Sequence, residues 1–501
     1  MATAARLALC TLILLLPVVV NGQPFLYFDT ASYLSRPERA VAALADALGF
    51  VAPTIFGSAD GVSALSGAPS APVEGYLVGG RSVFYGLAVW SALALGLPML
   101  LPAVQAAVTV AVLWLVWTLL PAPRHASFVV AILLLAVLTP AGFFVGLLTP
   151  DAFAPLVILA VALLACAWDR LEGRARAFLS IVLLFGLLAH TSHALTAICL
   201  LAGLVLVRAV WPAARRAVSR QGIAVAGGAF AVALGLNAVS DFAAERLTGR
   251  DVIARPHLTA HLVDDGPGAE WVARHCDGEG DGFAVCAFRD RLPTDWIAFL
   301  FSDRPDRGAF QSADALPPVR RALSEEDASF ALAVLRDDPL GTTAFLGSAA
   351  LEQLVRVRFE DVPLAGESLE ARLDQFPPSV TRQGGGRIAG DAALLSVMSD
   401  VSAVAALVSA LALAAAIGSV GRTARPWPGL SPLLWVCAVA IAGLILNAAI
   451  CGALASPYDR FQSRVILLLP ALAAVLWAAR SRRLPSSPRA LDPRHQERIA
   501  G

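Results

Sequence analysis

The sequence predicts an all-α polytopic membrane protein, with about ten transmembrane helices and an α or α+β loop domain on the outer face. Three observations lead there. Of the 501 residues, 57% are hydrophobic and 15% charged, with a mean hydropathy of +0.69; a soluble globular chain carries roughly 25% charged residues. About ten apolar segments, many near the ~20 residues that cross hydrocarbon, alternate with short loops. The Arg-rich short loops fall on every second connection, hence on one side. The formal net charge is zero, so no global basic field points to nucleic acid. None of the 38 basic residues is Lys, and Ala and Arg are abundant, which reads as base-composition bias of the source genome.

The first span runs from Leu7 to Val20. Residues 1–22 also resemble a signal peptide, but Val20-Asn21-Gly22 is a poor small-x-small cleavage site, so an uncleaved span is the expectation. A first outer loop follows over 21–81. Val83 to Met99 reads as an interfacial or re-entrant helix broken at Pro98. Further spans are Leu101–Leu120, Phe128–Leu148, Ala152–Ala167, Ala177–Ala189, Ala194–Val207 and Ile223–Val239, which close an N-terminal membrane domain over 1–240. Several fall short of ~20 residues, so either boundaries move by a few residues or helices are broken. A large outer loop domain occupies 241–399. Within it, Ser324-Glu-Glu-Asp327 has the form of a helix start. Thr342–Val355 carries one apolar face of Phe345, Leu346, Ala349, Leu351 and Leu354, which either covers a site at the membrane surface or packs in a loop core. The C-terminal membrane helices over 400–480 are Val401–Val420, Leu433–Leu454 and Val465–Ala479. An Arg- and Pro-rich tail follows over 481–501 and reads as disordered.

Orientation follows from the arginines. Arg6, then Arg124, then Arg170, Arg174 and Arg176, then Arg208, Arg215, Arg216 and Arg220, then Arg422 and Arg425, then Arg480, Arg482 and Arg483 alternate correctly through ten spans. That side is expected to be cytoplasmic, with both termini inside and the protein multi-pass in a bacterial inner membrane. Cys10, Cys166, Cys199, Cys437 and Cys451 fall in apolar spans as small hydrophobes. Cys276 and Cys286, ten apart in the outer loop, form either a disulfide in an oxidising compartment or two reduced core thiols.

The opposite face collects the ionisable residues that lie at hydrocarbon edges, where charge is costly and function is the default reading. Asp29 follows the first span by nine residues, among Phe25, Tyr27, Phe28 and Tyr33. A carboxylate in low dielectric gains basicity unless a cation pairs with it, which suits a general base acting on a hydroxyl. Alternatively Asp29 caps the helix that holds Tyr33 and Leu34. Asp151 in Leu148-Thr-Pro-Asp-Ala152 is either a second carboxylate at the same depth or the cap of the next span. His190 and His193 lie three apart, so on a helix they share a face. They can bind a metal, contact a phosphate or donate to a substrate, or form a polar hairpin tip. Ser456-Pro-Tyr-Asp-Arg-Phe-Gln-Ser-Arg464 places Arg460 and Arg464 one turn apart at the outer end of a span, against the inside bias for Arg. They can fork around a phosphate, or merely snorkel. Tyr33, Arg81 and Tyr458 complete the candidate substrate contacts.

This order of spans, acids and bases resembles the GT-C superfamily of integral membrane glycosyltransferases, over the chain up to about Val207 and again in the last outer loop. The resemblance implies that Asp29 acts on the acceptor and that Asp151 is the second acid. It further implies that Arg460 or Arg464 holds the phosphate of a polyprenyl-linked sugar donor. Thr30 follows Asp29 where many members carry a second acid, so a divalent metal stays open as a cofactor, and no other cofactor is called for. The implied activity is hexosyl or pentosyl transfer from a polyprenyl-phosphate sugar to an envelope glycan, lipid or protein on the outer face, with the bilayer as the other partner. Two readings compete: a transporter or flippase of a lipid-linked glycan or small anion, and a structural subunit of an envelope assembly. A transport path would continue to the inner face, yet the inner halves of the spans carry few ionisable residues and no inverted repeat is detectable.

Overall fold

The computed structural model describes residues 2–49, 51, 53–56, 75–121, 123, 125–276, 282–381, 384–422 and 431–480. Arg124, Arg425, Arg482, Arg483 and the tail over 481–501 lie outside the described residues. The chain is a multi-pass membrane protein built almost wholly of helices. Among the described residues, seven helices are long and apolar enough to cross a membrane: Thr3–Asn21, Leu100–Trp117, Thr191–Val210, Arg220–Thr248, Ala392–Gly418, Pro432–Leu454 and Asp459–Ala479. Three expected spans are shorter. The segment over 128–148 forms α-helices at His125–Leu138 and Ala141–Gly146, because Pro140 has no N–H to continue the first. The other two are Pro150–Cys166 and Gly173–Ala189.

In chain order the elements that position the site begin with α1 (Ala2–Asn21), α2 (Phe28–Leu48), the short strand β1 (Tyr76–Val78) and α3 (Val83–Ala94). The expected break at Pro98 comes earlier, where α3 stops at Ala94 and Gly96 turns the chain. Next come α4 (Leu100–Trp117), α5 (His125–Leu138), α6 (Ala141–Gly146), α7 (Phe153–Cys166), α8 (Gly173–Ala189), α9 (Thr191–Val210) and α10 (Arg220–Thr248). The large loop supplies strand β2 (Asp251–Ile253), α11 (His257–Leu262), α12 (Pro317–Asp337) and α13 (Pro339–Val355). The last elements are α14 (Ala392–Arg422), α15 (Ser431–Leu454), the short α16 (Asp459–Ser463) and α17 (Leu468–Arg480).

Every residue of α7 is buried. A helix that is apolar all round belongs at the centre of a bundle, and α8, α9, α10 and α15 pack around it. Close approach needs small residues, since lipid-soluble helices gain little from hydrophobic burial against one another. At Gly222 of α10 a Cβ would meet the Leu164 carbonyl oxygen of α7 at 1.9 Å. In contrast, α10 and α14 expose Val232, Leu234, Val239, Val404, Leu407 and Leu411, the faces that lipid covers.

The large loop forms its own apolar core around Val272, Phe288, Phe299, Phe310 and Phe330. Val78 of the first loop joins this core, because β1 and β2 pair in parallel with Val78 opposite Ile253. Cys276 and Cys286 are disulfide-bonded in the same core, with Cα atoms 5.5 Å apart. Of the apolar face of α13, Phe345 and Leu346 pack against this loop core and Ala349 meets Gly452 of α15, while Leu351 stays exposed.

At the end of α1, Asn21 fastens a glycine-rich turn. Its Oδ1 accepts from the Ile388 and Ala389 amides at 2.9 and 3.0 Å, and its Nδ2 donates to the Gln23 and Gly385 carbonyls at 2.8 and 3.1 Å. Gly386 sits there with φ +104°, and a Cβ would collide with the Asn21 side chain at 2.2 Å. Asn21→Ala leaves four buried backbone groups without these partners, so a loss of about 2–4 kcal/mol is expected. Thermal unfolding in detergent should show the midpoint lowered by several degrees; an unchanged midpoint would refute this role.

Candidate functional site

An isolated parallel bridge sets the site. The Phe25 amide donates to the Gly146 carbonyl at 2.9 Å, and the Leu148 amide donates to the Phe25 carbonyl at 3.0 Å, pairing Phe25 with Leu147. Asp29 and Asp151 each lie four residues beyond this bridge, so the two carboxylates arrive side by side. Gln105 supports it from α4, donating through Nε2 to the Val145 and Leu147 carbonyls and accepting from the Tyr85 hydroxyl.

Asp29 stands in the first turn of α2 but does not cap it. The capping contact comes from Thr30, whose Oγ1 accepts from the Tyr27 amide at 3.0 Å. The Asp29 oxygens instead accept from Arg81 Nη2 and from Arg460 Nη1, the latter at 2.7 Å. The expected gain in basicity is therefore not the resting state. Burial acts to raise the carboxyl, but Arg81 and Arg460 outweigh it and hold Asp29 below the ordinary carboxylate range.

Asp151 is fully buried in a 3-10 turn over Pro150–Ala152, where its side chain makes no helix cap. Its Oδ2 accepts from Arg460 Nε and Nη2 at 3.0 and 2.6 Å and from the Thr149 hydroxyl, and its Oδ1 accepts from Arg464 Nη1 at 3.2 Å. Arg464 Nη2 continues to Ser192 Oγ at 2.9 Å and Asn447 Oδ1 at 3.2 Å. Arg460 is 3% exposed and Arg464 1%, so neither snorkels to solvent. Nor do they form an open fork: both close on Asp151, and the Arg460 guanidinium also lies 4.0 Å from the Tyr27 ring centre.

His190 caps α9, its Nδ1 accepting from the Ser192 amide at 3.2 Å. His193 Nδ1 donates to the Gly186 carbonyl at 3.0 Å, which leaves Nε2 buried with no partner. The rings stand 5.2 Å apart, and His190 reaches the ion cluster through Ser192, whose hydroxyl meets both His190 Nδ1 and Arg464. Among the described residues no group of three or more His, Cys, Asp or Glu is placed to hold a metal ion. With both carboxylates committed to guanidiniums, the residues do not fit a divalent metal, and no step below is routed through one. Tyr33 is buried beside Asp29 and Arg81, with a hydroxyl that has no partner. Tyr458 lies beside Tyr27 and Arg460.

The sequence singles out the five ions but not what holds them. Gln353 of α13, fully buried, accepts from the Tyr458 amide at 2.7 Å and donates to the Tyr458 carbonyl at 2.9 Å, which fixes the start of α16 and so Arg460. Asn447 carried a signal, as a polar residue inside an apolar span. Gln353, in a loop helix, carried none. Arg255 and His257 follow β2 and face Arg81 and Asp29. Burial, then Arg255 and Arg81, push His257 down to about 3, so its imidazole is neutral. Compared with family models, with curated proteins and with solved structures, the chain matches none.

Proposed function

We propose that this is a glycosyltransferase of the GT-C kind, moving a sugar from a polyprenyl-phosphate donor to an envelope glycan, lipid or protein. In this reading the chain crosses a bacterial inner membrane ten times with both termini cytoplasmic, and the ion cluster faces outward. One observation supports the chemistry above others. Three guanidiniums, of Arg81, Arg460 and Arg464, meet two carboxylates, of Asp29 and Asp151, in a buried cluster that helix ends bring together. Taken by itself the cluster holds one more cation than acid. A buried excess charge is expensive unless an anion completes it, and the anion available at that depth is a lipid phosphate.

The step is a single displacement. The acceptor oxygen attacks the anomeric carbon, forming the new C–O bond, and the bond from that carbon to the phosphate oxygen breaks with its electron pair. The hydroxyl proton goes to Asp29. The phosphate leaves as a stable anion, and the guanidiniums balance its growing charge. Inversion at the anomeric carbon follows. The low basicity of Asp29 at rest fits this order of events. A donor phosphate competes for Arg460; once it draws that guanidinium away, burial dominates at Asp29 and its affinity for a proton rises. Donor binding thus arms the base.

The test is transfer of labelled sugar from polyprenyl-phosphate donors in membranes carrying the wild type. Label arriving in an acceptor supports the proposal. A wild type that carries a labelled lipid across the bilayer, with no sugar transferred from any such donor, favours transport and ends it.

A further inference from the structure

We infer that the connection between α9 and α10 holds a binding site for the headgroup of an anionic phospholipid, walled by Arg208, Arg215 and Arg220. Ser192, at the start of α9, touches the ion cluster. Arg208 lies near the other end of that helix, roughly 24 Å along its axis at 1.5 Å per residue. The inference therefore stands apart from sugar transfer and does not rest on it.

The turn is built to be rigid. α9 stops at Val210, a short helix runs over Pro212–Ala217, and the Ser219 hydroxyl caps α10 by accepting from the Gly222 amide. The Ser219 amide donates to the Ala165 carbonyl of α7 at 2.7 Å, which ties the turn to the centre of the bundle. Two arginines then lace the turn to itself. Arg208 Nη1 donates to the Arg215 carbonyl at 2.6 Å and to the Val218 carbonyl. Arg215 answers, donating through Nε to the Arg208 carbonyl at 3.3 Å and through Nη2 to the Ala209 carbonyl at 2.8 Å. Arg220, two residues past Val218, completes the wall. With Val205 and Ala209, the three arginines line one cavity of about 330 Å³, within the roughly 300–1,000 Å³ of small-ligand sites.

No carboxylate lines this cavity. Among the described residues none of the three arginines is in an ion pair, and Arg220 makes no side-chain hydrogen bond. Three positive charges thus face one space, and like charges repel unless an anion stands between them. Arginine suits phosphate there, because its fork donates two parallel bonds. The bias of arginine toward one membrane face explains why these residues are on this side. It does not require them to bond the carbonyls of their own turn and wall a cavity. A headgroup that also carried an ammonium would find no acid to receive it, so the site fits a net negative lipid.

Position makes the ligand a lipid. α9 and α10 are both long and apolar enough to cross a membrane, so Val210 and Arg220 mark its edge. Val205 in the cavity wall is 52% exposed, and Leu206, Val210 and Trp211 beside it are exposed as well. The Trp211 ring centre lies 5.6 Å from that of Trp435 in α15. Tryptophan at a span end sits at headgroup depth. A free phosphate gains nothing from this apolar rim. A phospholipid sets its phosphate among the arginines and lays its acyl chains along Val205 and Leu206.

The test uses the full chain in a neutral detergent, titrated with short-chain phosphatidylglycerol and followed by calorimetry. The wild type is expected to bind it, and to bind phosphatidylcholine of the same chain length about tenfold or more weakly. Arg220→Gln should weaken phosphatidylglycerol about tenfold or more and melt near the wild type, since Arg220 bonds nothing in the turn. Arg220→Lys should keep part of the binding. Val205→Trp keeps every charge and fills the cavity, and should weaken the lipid comparably. Arg216→Gln removes the same charge from the short helix but outside the cavity, so at physiological salt it should change binding by no more than about twofold. The inference fails if the wild type does not bind phosphatidylglycerol, or if Arg220→Gln or Val205→Trp binds it as tightly as the wild type. It fails equally if Arg216→Gln weakens it as much as Arg220→Gln, which would mean diffuse charge and no site. Phosphatidylcholine bound as tightly would show that headgroup charge is not read. Glycerol phosphate bound as tightly as the lipid would assign the cavity to a soluble phosphate and overturn the lipid.

Discussion

Asp29→Asn is expected to lower sugar transfer by about 10²–10⁴-fold while the protein still folds. The amide keeps the shape of the side chain, and its oxygen can still accept from one of the two guanidiniums while its NH2 group faces the other, but it cannot take the acceptor's proton. Because Thr30 makes the capping contact at the start of α2, the substitution removes no helix cap. The acid side of the pH profile gives a second reading. Arg81 and Arg460 overcome burial and hold Asp29 below 3.8, so the contribution of its ionised form to stability is present above the unfolded value and disappears only as pH falls through the lower folded value. Folded protein is therefore expected to keep this pair intact down to about pH 4. Transfer by Asp29→Asn near the wild-type rate, in membranes with equal amounts of folded protein, would remove Asp29 from the chemistry.

Asp151→Asn should act on folding first. Arg460 and Arg464 both lose the charge of a fully buried partner, and breaking a buried ion pair from one side costs about 3–5 kcal/mol. The expected result is a sharp fall in the yield of folded protein and in its melting temperature. A double-mutant cycle separates this from simple loss of shape. Asp151→Asn combined with Arg464→Gln removes one charge of each sign, so it should be more stable than the sum of the two single losses, by 1 kcal/mol or more on the scale of such couplings. Strict additivity would show that the pair is not coupled.

Much of this cluster can be read from the chain because it breaks a strong rule. Asp29, Asp151, Arg460 and Arg464 stand at the edges of apolar segments, and burying charge there demands a reason. Burial of one charge then implies a partner, although composition cannot say which. The capping alternatives for Asp29 and Asp151 were equally sound as sequence readings; they fell because Thr30 and a 3-10 turn settled the local backbone and left both carboxylates to the arginines. The resting partner of Arg460 and Arg464 is hidden for a related reason. Residues four apart on a helix point the same way, but the carboxylate that both meet lies 309 and 313 residues away in sequence. Gln353, Asn21 and the pairing of Tyr76–Val78 with Asp251–Ile253 gave no local signal at all. Each depends on a contact between distant segments whose residue types are ordinary for loops and helix ends. The break at Pro140, by contrast, is local chemistry and was legible in principle.

The pairing of Asp29 with Arg460 spans 431 residues, which imposes an order on synthesis. At about 5–20 residues per second, roughly 20–90 s separate the emergence of the two residues from the ribosome. Arg81, only 52 residues from Asp29, arrives within seconds. It is the first counter-ion to appear and can hold the nascent carboxylate while the rest of the chain is made. β1 waits as well, an unpaired edge until β2 follows it out. Asp151 has no such early companion: both its guanidiniums come with the last helices. A chain stalled before α16 would leave that carboxylate bare in the membrane, a mark by which quality control can tell an unfinished chain from a complete one.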